Sequence, residues 1–475
     1  MEKEREEILA NEEGKNTDLR PGWGERLGYG AGGIGIRLIT SVVGTYLLIY
    51  LTNTALLDVA VVTGIIAVSK FFDGISDLVI GNIIDHTRSG MGKARIWLLR
   101  MCLPFAASFM LLFWVPPYFP AALKYIYVFL MYNIVNAVFF TFLQISHFSL
   151  ISLMSSDSEE HGLLGVVNSL AKSLGGLAGS VFFVKLLTRF SGGVPNQYTQ
   201  KGFTLACLVL CLVCVCTILI TVFSTKERVD DAPISKAGKR LGLRDMIPSF
   251  RIILSERSWV VLVVTQILAF IGTTLVISSA TYYSMYVLRD MGNMSWLAAT
   301  AMAPSLFIQF LSPLLMKRLT KKRIYVAGTI LYSAGCLGFA LLSPLKAGMI
   351  ICNLIKSMGI GLYGSVTMGI VADLVSNTKE KTGQFIPGAG YSGISAADKL
   401  GQGLGNVVLG MLLSVAGLSK TVDPTAAASA SVVTAVNWAF LWLPLIFGII
   451  TLVLFQFFFD LDEKPADTDR QENDQ

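Results

Sequence analysis

The sequence predicts an all-α membrane protein with twelve transmembrane helices in two six-helix bundles, and three observations support that class. Of the 475 residues, 53% are hydrophobic and only 15% are charged, whereas soluble globular proteins have about 25% charged residues. The apolar residues form blocks of about 20 or more, long enough to cross a hydrocarbon core. Basic residues concentrate in alternate loops between these blocks. Because backbone groups must be paired inside a bilayer, the blocks are predicted to be helical.

Twelve apolar segments are predicted to cross the membrane. Several are longer than the roughly 20 residues that a straight crossing needs, which indicates tilt or extension beyond the bilayer. The predicted spans are 28–53, 58–85, 97–117, 122–152, 162–187, 202–224, 258–287, 294–316, 324–344, 348–374, 389–417 and 434–459.

The distribution of Lys and Arg predicts the orientation of these helices. The loop 225–257 carries eight of them, and the loop after the eighth span reads KRLTKKR. Because basic loops stay in the cytoplasm, the N-terminal segment 1–27, the middle loop 225–257 and the tail 461–475 are predicted to be cytoplasmic. The middle loop then separates an N-terminal bundle, 28–224, from a C-terminal bundle, 258–460. The net charge of +6 reflects this topology, and no nucleic-acid partner is expected.

Two acidic residues and a lysine interrupt the second span in the stretch KFFDGISD, 70–77. Asp73 and Asp77 share one helix face, with Ser76 beside them and Lys70 one turn before. A charge at bilayer depth costs at least about 2.5–3.5 kcal/mol, so such residues face the bundle interior and usually serve a function. Two carboxylates at this spacing repel unless a proton, a Na⁺ ion or a basic side chain lies between them. The alternative is a buried Asp–Lys pair that only fixes helix packing.

Other polar residues of the spans are candidates for the same interior. Lys399 in span 11 is predicted to be the distant partner of the acid pair, and Arg37 in span 1 is predicted to bind substrate. His147 in span 4 is predicted either to carry a proton or to donate a hydrogen bond in a cavity. His86 and His161 are predicted to lie in turns without a special role.

Two patterns are similar to sites of other protein classes. GYGAGGIGIR contains GxGxxG at Gly28, Gly30 and Gly33. Charged residues precede it and a span follows it, so close helix packing is favoured over nucleotide binding. The run CLVLCLVCVC, 207–216, has no His or acidic residue nearby. It is predicted to belong to a lipid-facing or packed helix and not to a metal site.

The stretch FFDGISDLVIGNIIDHTRSGMGKARIW resembles the span-2 signature of the glycoside–pentoside–hexuronide:cation symporters, the melibiose-carrier group of the major facilitator superfamily. The resemblance extends to LGYGAGGIGIR, to ADLVSNTKEKTGQF and to the lysine of span 11, and so covers both halves. It implies the major facilitator fold, in which one half rocks against the other. It also implies that Asp73, Asp77, Ser76 and Thr141 bind the coupling cation, and that Lys399 lies near this site.

The pocket positions depart from those of family members that carry neutral galactosides. Those members have acidic residues on spans 1 and 4 and a tryptophan on span 4, where this chain has Arg37, Gln144 and Phe148. Near the arginine that they have on span 5, this chain has Asn168, with Lys172 one turn further on. A neutral-to-basic pocket favours an anionic sugar such as a hexuronide, because a guanidinium group pairs with a carboxylate through two hydrogen bonds.

The sequence therefore predicts a secondary active transporter and not an enzyme. A proton or Na⁺ at Asp73 and Asp77 would drive uptake of a sugar or glycoside by alternating access. The alternatives are an uncoupled facilitator, or a carrier of lipid or another small solute with the same fold. A membrane enzyme is less favoured, because both acids lie on one helix face and no nucleophile–base set accompanies them. The protein is expected in the bacterial inner membrane as a functional monomer, with no cofactor apart from the coupling ion.

Overall fold

The computed structural model describes residues 20–192, 198–229, 246–289, 293–343, 345–417 and 430–460. Within these ranges the chain is helical and contains no β-strand, which confirms the predicted all-α class. The predicted N-terminal segment 1–27 and middle loop 225–257 fall only partly inside the described ranges. The predicted tail 461–475 lies outside them.

Six long helical segments form the first half of the chain. Two of them contain a π-helical turn, Tyr50–Thr54 after the first helix and Ile134–Phe140 between the fourth and fifth. The α-helices are α1 (Trp23–Ile49), α2 (Val59–Asp85), α3 (Arg95–Leu112), α4 (Ala121–Asn133), α5 (Thr141–Met154), α6 (Ser158–Phe190) and α7 (Gln200–Ser224).

The second half begins with a short helix, α8 (Met246–Ser255), and continues with six more long segments. Tyr283–Val287 and Trp438–Trp442 are again π-helical. The α-helices are α9 (Arg257–Tyr282), α10 (Asn293–Met316), α11 (Lys321–Leu342), α12 (Lys346–Thr382), α13 (Pro387–Val415), α14 (Ala430–Asn437) and α15 (Leu443–Phe458).

These helices match the twelve predicted spans, because α4 with α5 and α14 with α15 each form one continuous segment. Boundaries shift by a few residues, and α12 continues to Thr382 beyond the predicted end at 374. Ten of the segments are long and apolar enough to cross a membrane by length and composition. The two others, α2 and α13, carry the acid pair Asp73 and Asp77 and the lysine Lys399, respectively.

The chain forms two compact units. The first unit comprises Met1–Ser249 together with Val371–Ser392, and the second comprises Phe250–Ile370 together with Gly393–Gln475. The predicted division at the middle loop stays a prediction. The adjoining ends of α12 and α13 are grouped with the first unit, although they belong to the second half of the sequence.

In the first unit, α1 packs against α6 and α7. Gly175 and Gly179 of α6 lie against the backbone of Ile34 and Leu38, where an added Cβ would collide with a carbonyl oxygen. Small residues of this kind allow helix backbones to approach closely in a membrane. The GxGxxG glycines lie within α1. A nucleotide-binding site of this type requires a β-strand before the glycines, so the structure does not support that interpretation.

Polar contacts fix the start of α3 in the first unit. The carboxylate of Glu227 accepts hydrogen bonds from the backbone N–H groups of Lys93, Ala94 and Arg95, at 2.7, 3.1 and 2.9 Å. It therefore satisfies the free donors at the start of α3. Burial raises the pKa of the Glu227 carboxyl, although these three donors act in the opposite direction. Gly92, with φ of +103°, lies directly against this carboxylate.

In the second unit, aromatic rings form the interior. Tyr283 stacks on Phe440 with 4.3 Å between ring centroids, and Tyr325 stacks on Phe455 at 3.9 Å. The buried Lys356 places its ammonium 5.5 Å from the ring centroid of Phe339 and 5.0 Å from that of Phe440. An ammonium group at this distance is attracted by the faces of aromatic rings, which is a cation–π interaction.

Candidate functional site

The acid pair of α2 is buried. Asp73 is 2% exposed and Asp77 is 0% exposed. Their spacing of four residues places both carboxylates on one face of the helix. Lys70 is half-exposed, and its Nζ lies 3.4 Å from Oδ2 of Asp73. The structure thus confirms that two acids are buried together, with the lysine at the edge of the site.

Thr141 joins the acid pair from a different helix. Its Oγ1 donates a hydrogen bond to Oδ1 of Asp77 at 3.0 Å and lies 3.0 Å from the carbonyl oxygen of Asn136. The π-helical turn Ile134–Phe140 ends immediately before Thr141, and such turns are frequent at functional sites. The side chain is therefore held against Asp77 by the local path of the backbone.

Ser76 lies on the outer side of the pair. Its Oγ donates to the carbonyl oxygen of Asp73 at 2.9 Å and its side chain is half-buried. A hydroxyl that donates to the backbone keeps its oxygen as an acceptor. Two carboxylates and two hydroxyls form the oxygen-rich donor set that a hard cation such as Na⁺ prefers. The cation-binding roles of Asp73, Asp77, Ser76 and Thr141 stay predictions.

A cavity in the first unit brings together residues of α1, α5 and α6. Five of the six residues that were predicted to bind substrate line it. Its walls are Gly33, Ile36, Arg37, Phe140, Gln144, His147, Phe148 and Lys172. Among these lining residues two are basic and none is acidic, which is the charge balance expected from the sequence.

The basic residues occupy different positions in this cavity. Lys172 lies over the face of Phe148, with Nζ 3.7 Å from the ring centroid. Phe148 is 2% exposed, so the ammonium group covers part of the ring. Arg37 lines the same cavity and has an exposed side chain, so a solute in the cavity can contact it.

His147 and Asn168 are more constrained than the sequence indicated. Nε2 of His147 lies 2.8 Å from the carbonyl oxygen of Tyr29, and the two rings stack with centroids 4.2 Å apart. A carbonyl accepts only, so Nε2 carries a hydrogen and Nδ1 is the atom left for a further contact. Asn168 is buried, at 1% exposure, and is absent from the residues that line the cavity.

Lys399 lies on α13 in the second unit and is half-buried. Asp398 precedes it on the same helix, within electrostatic range of the buried Tyr325 and the partly buried Tyr363. Asp398 therefore lies near two tyrosine side chains. The predicted role of Lys399 as the partner of the acid pair stays a prediction.

The first unit also contains polar contacts that the sequence did not indicate. His161 lies in the first turn of α6 and is fully buried, so its predicted position in a turn is wrong. Its Nδ1 lies 2.8 Å from Oδ1 of Asp373. Asp85, the last residue of α2, accepts from the N–H groups of Gly388 and Ala389 at 2.6 and 2.7 Å. No local pattern could have joined residues more than 200 positions apart.

Comparison with known proteins identifies the kind of protein. Residues 28–463 match the family described as MFS/sugar transport protein. The chain is 24% identical to an isoprimeverose transporter of Lactiplantibacillus pentosus, over 91% of this chain and 88% of the relative. It is also 24% identical to a glucuronide carrier protein homolog of Escherichia coli K12, over 83% of this chain and 84% of the relative.

A solved structure shows the same fold. The proton:xylose symporter XylE, a major facilitator superfamily protein, superposes with a TM-score of 0.64, covering 92% of this chain and 96% of that chain. The sequence identity is 12%, so this likeness concerns the fold alone. It confirms the predicted major facilitator fold.

Proposed function

The chain belongs to the MFS/sugar transport protein family, and from this premise we propose that it is a cation-coupled symporter of an anionic sugar or glycoside. The family and fold are those of transporters and not of enzymes, so the predicted absence of an enzymatic activity is confirmed. The protein is a multi-pass membrane transporter of the sugar-transport type. The coupling ion and the charge of the sugar are the proposed steps.

The burial of Asp73 and Asp77 carries the proposal of cation coupling. Two carboxylates that share a face and are 2% and 0% exposed repel each other unless a cation neutralises them. Thr141 supplies a hydroxyl oxygen next to the carboxylate of Asp77. A proton or Na⁺ bound here lowers the cost of keeping the pair buried, and substrate binding then completes the loaded state. Each ligand raises the affinity for the other by the same factor.

Coupling requires a group whose state depends on whether the ion is bound, and we propose Lys399 for that role. The loaded carrier then changes its conformation, and the ion gradient drives uptake by alternating access.

The two basic residues of the cavity support an anionic substrate. Arg37 is exposed to a solute, and Lys172 is held by the ring of Phe148. A guanidinium group binds a carboxylate with two parallel hydrogen bonds. The relative described as a glucuronide carrier protein homolog has a name consistent with this chemistry. A glucuronide is therefore the first substrate to test.

Uptake by cells with simultaneous recording of external pH and Na⁺ tests the coupling. Glucuronide should enter together with a cation in cells with the wild-type protein. Asp77→Asn should abolish accumulation against a gradient while leaving exchange or slow equilibration. The matched control is Asp58→Asn, because Asp58 is an exposed acid just before α2 and the amide keeps its contact with the N–H of Val61. Full accumulation by the Asp77 variant would refute its role, and sugar entry without any ion movement would favour an uncoupled facilitator.

Substrate competition tests the charge of the sugar. Lys172→Met keeps the length of the side chain and removes its charge. It should raise the KM for a glucuronide about tenfold or more, since a hydrogen bond to a charged group contributes about 1.5–3 kcal/mol. The KM for a neutral glycoside should change much less. If wild-type protein transports only neutral glycosides, the anionic assignment is wrong while the symporter remains.

We further propose that both termini face the cytoplasm of a bacterium, in its inner membrane, and that the monomer is the transporting unit. The basic middle loop supports this orientation. A C-terminal fluorescent fusion should therefore mature inside the cell. Digestion of that fusion by a protease added outside the cells would contradict the proposed orientation.

A further inference from the structure

His161 is buried between two oxygen atoms in the first unit. Its Nδ1 lies 2.8 Å from Oδ1 of Asp373, and its Nε2 lies 2.8 Å from the carbonyl oxygen of Ser155. The imidazole is 0% exposed and Asp373 is 8% exposed. Neither contact involves the acid pair of α2 or the cavity of α1, α5 and α6.

These two contacts determine how many protons His161 and Asp373 must hold together. A backbone carbonyl only accepts, so Nε2 must carry the hydrogen that faces Ser155. A neutral imidazole has one N–H, which leaves Nδ1 as an acceptor facing a carboxylate. The contact between Nδ1 and Asp373 then needs a second proton, located either on the ring or on the carboxyl oxygen. In both cases the His161–Asp373 pair holds one proton more than a neutral histidine beside a carboxylate.

We propose that His161 and Asp373 form a proton-binding site separate from Asp73 and Asp77, and that its proton holds the segment 371–392 against the rest of the first unit. Without that proton, a nitrogen lone pair faces the carboxylate oxygen and the contact becomes repulsive. Removal of the proton at high pH therefore weakens this contact.

Other contacts hold the same segment without needing this proton. Asp85 accepts from the N–H groups of Gly388 and Ala389. Oγ of Ser152 lies 3.0 Å from Oη of Tyr391. The segment is thus bound at several points, and loss of the proton weakens one of them. Partial opening, and not unfolding of the unit, is the expected consequence.

The surrounding charges leave Asp373 as the acid that faces His161. The neighbouring acids on α6 already have basic partners: Glu160 pairs with Arg26 of α1, and the helix-capping Asp157 pairs with Arg20. Oε2 of Glu159 lies 3.8 Å from Nη1 of the same Arg20. Tyr391 of α13 lies close enough to Asp373 to interact electrostatically with it. Protonation of the pair is therefore one charge change that acts directly on the 371–392 contact, and ionisation of Asp85 at Gly388 and Ala389 is another.

Hydrogen exchange of the purified full-length protein, followed by mass spectrometry at acidic, neutral and alkaline pH, tests this proposal. After correction for the intrinsic exchange rate, protection of peptides within 371–392 should fall about tenfold at the alkaline end. His161→Arg keeps donors toward both oxygens at every pH and should remove this dependence. Asp373→Asn should also remove it, because its amide can donate to a neutral Nδ1.

His86→Arg is the matched control, since it changes another histidine that lies outside this contact. Asp85 is present in every variant, so any titration of its own contributes equally and cancels in the comparison. The proposal is overturned if both His161→Arg and Asp373→Asn retain the pH profile of the wild type, whatever that profile is. The measurement needs no substrate and no ion gradient. Its outcome is therefore independent of whether the proposed symport is correct.

Discussion

Replacing Thr141 by valine separates the two possible coupling ions. Thr141 is 1% exposed, and its hydroxyl donates to Oδ1 of Asp77 at 3.0 Å. Valine has nearly the same shape and places a methyl group where the hydroxyl was. The change therefore removes a donor from the ion-free carboxylate and removes an oxygen from the ion-bound site. On a coupling proton only the first loss acts, and it raises the affinity. On Na⁺ the second loss acts as well, and it lowers the affinity because the hydroxyl oxygen would be a direct ligand.

The size of the effect follows from the hydrogen bond. A hydrogen bond to a charged group contributes about 1.5–3 kcal/mol, which corresponds to a factor of about 10 to 150 in affinity. The hydroxyl also lies 3.0 Å from the carbonyl of Asn136, so its single hydrogen is shared and the lower end of that range is expected. A coupling proton would bind about tenfold more tightly to Thr141→Val. A coupling Na⁺ would bind about tenfold more weakly, because it loses an oxygen ligand.

Initial uptake rates measured against external pH and against Na⁺ concentration distinguish the two cases. With proton coupling, the pH for half-maximal uptake moves up by about one unit. With Na⁺ coupling, the Na⁺ concentration for half-maximal uptake rises about tenfold. Thr141→Ser keeps the hydroxyl and should resemble the wild type. If Thr141→Val and Thr141→Ser cannot be told apart in either titration, Thr141 does not belong to the ion site.

Three further predictions concern residues around these sites. Lys70→Met should leave uptake within about fivefold of the wild type, because a half-exposed pair with Asp73 contributes about 0–1 kcal/mol; a complete loss of uptake would make Lys70 part of the ion site. Arg26→Ala should lower the melting temperature in detergent strongly, since it leaves the buried Glu160 without its cation at a cost of about 3–5 kcal/mol. Adding Glu160→Gln should restore part of that loss. Glu227→Ala should cost about 1–2 kcal/mol through the uncapped start of α3, and Glu227→Gln should cost less; equal melting temperatures for the alanine and glutamine variants would contradict the capping role.

The helical spans were predictable because they depend on local composition. A block of apolar residues that crosses a bilayer must form a helix wherever it lies in the chain. The acid pair was predictable for a related reason, since four residues make about one helical turn and place Asp73 and Asp77 on one face. The extra turns of α12 beyond residue 374 were missed, because they contain the polar residues up to Thr382. Hydropathy alone ends the span too early.

The cavity could be predicted only as a set of candidate residues. Arg37, Gln144 and Lys172 lie on three different helices. Their approach depends on how α1 packs against α6, which in turn depends on glycines that bring the backbones together. The position of Lys172 over Phe148 is a result of that packing. Asn168 differs from Lys172 by only one turn, yet it is buried outside the cavity lining.

The sequence by itself determined the membrane class, the twelve long helical segments and the two acids on one helix face, because each depends on residues within a few helical turns. The tertiary structure decided which distant residues meet. It placed Asp373 against His161 across 212 positions of sequence and the side chain of Glu227 at the start of α3. Such contacts depend on the rotation and register of packed helices. A helix has the same local periodicity whichever neighbour it meets, so its sequence pattern cannot specify its partner.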